Sequence, residues 1–100
     1  MKSFSWSMLG SDVVWEGSLV KKTYPNGRVA LIHQGKDGSM ITKVTTNIPE
    51  IELADGEVII KNYSENEGIL EALIGQGVVS QPIRFIKSGF ISFPIVKLLI

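Results

Sequence analysis

The chain contains no cysteine and a single histidine in 100 residues. Without thiols there is no disulfide, no thiolate metal site and no cysteine nucleophile, and nothing calls for an oxidising compartment, so the expected location is the cytoplasm. One imidazole, His33, cannot supply a multi-histidine metal centre, and in its strand it shares parity with Val29 and Leu31, the position of an ordinary strand histidine. Glycine-rich phosphate loops are missing: Gly35-Lys36-Asp37-Gly38 has turn chemistry, and neither the dinucleotide fingerprint nor the P-loop pattern occurs. No serine stands in a GxSxG frame. Long apolar runs are missing too. The opening residues are broken by Ser5 and Ser7 and stopped at Gly10-Ser11-Asp12, too short and polar for a secretory apolar region, and the run 90–100 is short and interrupted by Pro94 and Lys97. No membrane association, no cofactor and no metal is therefore expected.

What is present describes one domain, 1–100. A content of 44% hydrophobic and 20% charged residues suits a folded chain that buries about 60–65% of its unfolded surface. Ten basic and ten acidic side chains cancel overall but are segregated. Residues 1–49 carry six basic and three acidic groups, residues 50–71 one basic and seven acidic, and residues 72–100 three basic. The middle is an acidic block.

Turn chemistry divides the chain into strands. Residues 17–24 and 28–34 flank Pro25-Asn26-Gly27, where asparagine and glycine accept positive φ, and predict a β-hairpin. Lys36-Asp37-Gly38 turns into a third strand, 39–46, ended by Asn47-Ile48-Pro49. Ala54-Asp55-Gly56 leads into a strand at 57–61. Residues 82–87 and 90–99, separated by Ser88-Gly89, predict a C-terminal hairpin. The last strand is apolar at both parities: Phe90, Val96 and Leu98 on one, Ile91, Phe93, Ile95 and Leu99 on the other. It is therefore central in a sheet or covered by a partner, with a homodimer through that strand as one solution, although Pro94 argues for an edge or a bulge.

Ser64-Glu65-Asn66-Glu67 has the form of a capping box, in which the Ser64 hydroxyl accepts from the Glu67 N–H and the Glu67 carboxylate reaches back. It predicts a helix over 64–76 whose stripe Ile69, Leu70, Leu73 and Ile74 packs on one face of a sheet, with Glu65, Glu67 and Glu71 favoured near its N-terminus and Gly75 or Gly77 at its C-cap. Gly68 costs about 1 kcal/mol there relative to alanine. The expected fold class is α+β: a mainly antiparallel sheet of about six strands with one short helix packed on one face.

Three features carry candidate function. The carboxylates Glu50, Glu52, Asp55 and Glu57 lie close in sequence and form a candidate protein-binding segment, a negative surface fit to dock on a basic groove. Paired acids also serve acid–base catalysis, but a chain this short leaves little room for a deep substrate cleft, and no catalytic residue is assigned. The hairpin residues Lys21, Lys22, Tyr24 and Arg28 combine positive charge with an aromatic ring, the alternative of a nucleic-acid or small-ligand site. A sequence pI near 6.6 gives no broad electrostatic footprint, so nucleic acid ranks behind a protein partner. Trp6 and Trp15 are core candidates that become interface anchors wherever they are exposed.

The segment from Glu57-Val58-Ile59-Ile60-Lys61 through Tyr63-Ser64-Glu65-Asn66-Glu67-Gly68, followed by Gly77-Val78-Val79 and Gly89-Phe90-Ile91-Ser92-Phe93-Pro94-Ile95, resembles short uncharacterised proteins of bacteriophages and mobile elements over residues 52–99. The resemblance transfers no activity. It implies a genomic setting in which small accessory proteins bind and block a host enzyme, host defence nucleases among them. The expected function is thus a non-catalytic protein-binding module that inhibits a host protein.

Overall fold

Pro25-Asn26-Gly27 makes the expected turn. Gly27 sits at φ 89°, its N–H donates to the Tyr24 carbonyl at 2.9 Å, and the Tyr24 N–H closes on the Arg28 carbonyl at 2.8 Å. This hairpin is the centre of a computed structural model that describes residues 2–8 and 10–100. Strand β2 (Trp15–Thr23) pairs antiparallel with β3 (Val29–Gly35), β1 (Lys2–Trp6) adds outside β2, and β4 (Met40–Lys43) adds outside β3, giving the order β1-β2-β3-β4. Gly17 in β2 faces Gly35, and a Cβ there would lie 1.9 Å from the Gln34 carbonyl oxygen, so no other residue fits.

The protein is α+β, as expected, but the single sheet of about six strands is two sheets of four. β5 (Thr45–Thr46), β6 (Glu57–Ile60), β7 (Arg84–Ser88) and β8 (Ile91–Lys97) form a second antiparallel sheet in the order β5-β6-β8-β7. The expected third strand, 39–46, is shared between them, and the division falls at Val44. Its N–H donates to Leu31 of the first sheet at 2.9 Å, and its carbonyl accepts from the Lys61 N–H beside the second, also at 2.9 Å. The additional strand is β1, where Phe4 and Trp6 point into the core and the intervening serines point out.

The expected 13-residue helix is shorter. Residues Ser64–Asn66 form one 3-10 turn, and the α-helix α1 spans Ile69–Gly75. The capping box does not form: Tyr63, not Ser64, stands at the N-cap, Ser64 has φ 58°, and the Glu67 N–H donates to the Ser64 backbone carbonyl at 3.1 Å rather than to its hydroxyl. The side chain of Glu65 lies outside the described residues. Two competing interactions decide this. Asn66 turns inward and is buried, accepting from the Thr42 hydroxyl at 2.6 Å and donating to the Lys43 carbonyl at 2.8 Å. Gly68 then takes φ 95°, which breaks the helical run, and Asn62 caps α1 instead through its Oδ1 on the Leu70 N–H at 3.0 Å. The C-terminus behaves as expected at Gly77, which has φ 74°: its N–H donates to Ile74 and that of Val78 to Leu73, with Val78 and Leu73 both buried, a Schellman motif with its apolar contact.

The main core lies between the two sheets and is closed by α1. It contains Phe4, Leu19 and Leu31 from the first sheet, Val58, Ile60 and Val96 from the second, and Ile69, Leu70 and Leu73 from the helix. The opposite face of the second sheet has its own small core, Ile59, Phe93 and Ile95, covered by Ile48, Ile51 and Leu53 of the connection between β5 and β6. This accounts for the doubly apolar final strand within the chain. β8 is central, hydrogen-bonded to β6 and β7, and both of its faces are covered from inside the molecule.

Candidate functional site

The connection between β5 and β6 contains three of the four predicted acidic residues, and two arginines fix its backbone. Arg28 leaves the tip of the β2–β3 hairpin and donates to the carbonyls of Ile48 (2.8 Å), Pro49 (3.4 Å) and Ile51. Arg84 of β7 donates through Nη2 to the Glu52 carbonyl at 2.8 Å and through Nη1 to both oxygens of the Glu57 carboxylate at 3.1 and 3.2 Å. Glu57 itself accepts from the Ala54 N–H at 2.9 Å, closing the turn at Ala54-Asp55-Gly56. That N–H first, and then Arg84, hold its carboxyl below the usual range. With Ile48, Ile51 and Leu53 packed beneath, the segment is ordered from both sides.

Glu50, Glu52 and Asp55 are exposed on this loop and make no ion pair among the described residues. Glu57 is different, because its carboxylate is consumed in holding the loop. The predicted acidic site therefore divides into three outward charges and one internal brace. A cleft of about 270 Å³ beside the loop is lined by Arg28, Val29, Leu53, Asp55, Glu57 and Leu98.

The four residues of the basic hairpin do not act together. Lys21 reaches the backbone carbonyl of Ile100 at 3.2 Å, and Arg28 grips the acidic loop. Tyr24 is half-buried, with its hydroxyl 2.9 Å from the Thr45 hydroxyl and its ring under the Lys43 ammonium at 5.6 Å; burial pushes the phenol up from its ordinary value. Lys22 remains exposed.

His33 is buried. Its Nε2 lies 3.1 Å from the Phe4 carbonyl, which accepts its proton, its ring packs edge-on against Phe4, and its Nδ1 has no partner among the described residues. Burial lowers its pKa, opposed in part by the Phe4 bond. No group of three or more metal-ligating side chains occurs among the described residues, and no helix there is long and apolar enough to cross a membrane.

The two tryptophans have different fates. Trp6 is buried, whereas Trp15, its register partner, is 47% exposed at the end of the first sheet. With Ser39, Met40, Ile41 and Thr42 they line a cleft of about 320 Å³, and Val13 and Val14, which precede Trp15 in the chain, are exposed as well. Sequence reasoning missed three exposed apolar side chains, Ile83 just before β7, Phe85 on it and, at the other end of the strand, Phe90 in the β7–β8 turn. For Phe90 the signal is local: it directly follows the turn glycine Gly89, at φ 63°, where strand packing cannot reach it.

Compared with known families, with functionally described proteins and with solved structures, the chain matches none.

Proposed function

We propose that this chain is a non-catalytic protein-binding module, a small accessory protein of the phage or mobile-element kind that blocks a host protein such as a defence nuclease. One observation carries the reading: Glu50, Glu52 and Asp55 stand outward on a loop whose backbone is already fixed by Arg28, Arg84 and the second core. A negative surface ordered before binding loses little entropy on docking, and its charge complements the basic groove with which a nuclease holds its substrate. The exposed Trp15 beside the 320 Å³ cleft adds a side chain of the type that anchors protein interfaces.

The test is affinity capture from a host lysate with the wild-type chain and with Glu50→Lys, Glu52→Lys and Asp55→Lys combined. The expected result is one stoichiometric host protein whose retention falls at least about tenfold in the triple variant and weakens with salt, while circular dichroism is unchanged. Equal retention by the variant would discard the acidic loop as the binding surface. The alternative of a nucleic-acid or small-ligand site rests on Lys21, Lys22, Tyr24 and Arg28, of which Lys21 and Arg28 are engaged within the chain and the tyrosine ring is covered by Lys43. A flat titration with single-stranded DNA at low salt removes its nucleic-acid form.

A further inference from the structure

Strand edges are where chains meet. In the first sheet, the edge strand β1 is closed by its own molecule: the Gln76 side chain donates to the Ser5 carbonyl at 2.6 Å and accepts from the Ser5 N–H at 3.4 Å, imitating a neighbouring strand. The edge of β4 is met by Asn66, whose amide donates to the Lys43 carbonyl at 2.8 Å, and β5 lies against β3, the Leu31 N–H donating to the Thr45 hydroxyl at 3.1 Å. β7, the remaining edge, has no such cover among the described residues, and the exposed Ile83, Phe85 and Phe90 lie on or beside it, with Phe90 at 105% relative exposure.

We propose that two copies of this chain associate through β7, antiparallel about a two-fold axis at Ile86, extending the second sheet to eight strands across the dimer. The strand is complementary to itself in this register, which points to a second copy as the occupant. With Ile86 opposite Ile86 of the copy, each Phe85 faces a Lys87, a favourable cation–ring pairing, and each Arg84 faces a Ser88. Ile83 of one copy then faces Gly89 of the other, so Ile83 and Phe85 gain cover together. Sliding one strand by one residue sets outward-facing backbone groups of one copy against inward-facing groups of the other and breaks the ladder, and moving the axis to Lys87 opposes two lysines. The charge of Arg84 is meanwhile neutralised inside its own chain by Glu57. The strand is only five residues long, so the contact is small and the dimer weak, with a dissociation constant on the order of 100 µM. This association is independent of the acidic loop and of any host partner.

Sedimentation velocity from ~10 µM to ~1 mM tests it. The expected result is a rise from the 11.0 kDa monomer toward twice that mass, abolished by Phe85→Lys, with circular dichroism unchanged. Because the chain has no cysteine, Ile86→Cys reports the axis directly: mild oxidation gives a covalent dimer, whereas Lys87→Cys alone gives none. A monomer throughout with no Ile86→Cys cross-link would overturn the proposal. So would a dimer that survives Phe85→Lys or is lost in Trp15→Ala, either of which places the contact elsewhere, and so would an Ile86→Cys dimer matched by Lys87→Cys.

Discussion

The two sheets are built from similar material and reach opposite solutions. In the first, strand order follows chain order, neighbours are joined by turns, one face is buried, and its outer strand β1 is sealed by Gln76. In the second, the order β5-β6-β8-β7 inserts β8 between the consecutive strands β6 and β7, both faces are covered, and β7 is left open. The difference separates what local chemistry can specify from what only packing can. Turn residues suffice for the first sheet; the second depends on side chains 20 to 40 positions apart, such as Arg28 on the carbonyl of Ile48 and Arg84 on Glu57.

The contrast can be broken at several points. Gly17→Ala has the largest effect, because its Cβ would meet a backbone oxygen at 1.9 Å that no rotamer can avoid. A loss of about 3 kcal/mol or more, or failure to fold, is expected in urea denaturation. Asn66→Ala comes next, leaving the buried Thr42 hydroxyl and the Lys43 carbonyl without their partner, at a cost of about 1–3 kcal/mol. Ser64→Ala, by comparison, stays within about 0.5 kcal/mol, since no side-chain cap is lost. The reverse order would restore the capping box.

The third point concerns pH. His33 is held neutral in the fold, with its pKa below the ordinary 6.5. The unfolded chain therefore binds its proton first, and stability is full above about pH 6.5 and declines as the pH falls below it. Glu57 and Asp37, the latter held low chiefly by the Ser39 hydroxyl, have depressed values, so their contributions disappear only below the ordinary 4.5 and 3.8. Urea midpoints compared between pH 7.5 and 5 thus isolate the histidine, and in His33→Phe the slope in that window should vanish. The smallest effect is at the sealed edge. Gln76→Ala should cost about 1 kcal/mol or less while raising the tendency to aggregate, read by light scattering on warming.

The legible parts of the fold were those set by neighbours in sequence. Asn26-Gly27 specifies a hairpin whatever surrounds it, and Gly77 terminates the helix by its own backbone freedom. The helix start was misread because Ser64 and Glu67 satisfy a local pattern that competes with a distant one: Thr42 and Lys43 draw Asn66 into the core. The second sheet was invisible because the chain changes sheets inside a run of β-branched residues, 44–46, that carries no turn signal. At the candidate site the negative charge was readable, but not its division of labour. Nothing in composition distinguishes Glu57, tied to Arg84, from Asp55, left outward.

Val44 gives its two backbone groups to different layers. Neither layer can come apart there while the other stays whole, so the molecule should melt as one cooperative unit despite its two cores. The amide proton of that residue should be among the slowest to exchange with deuterated solvent, released only when the entire chain opens.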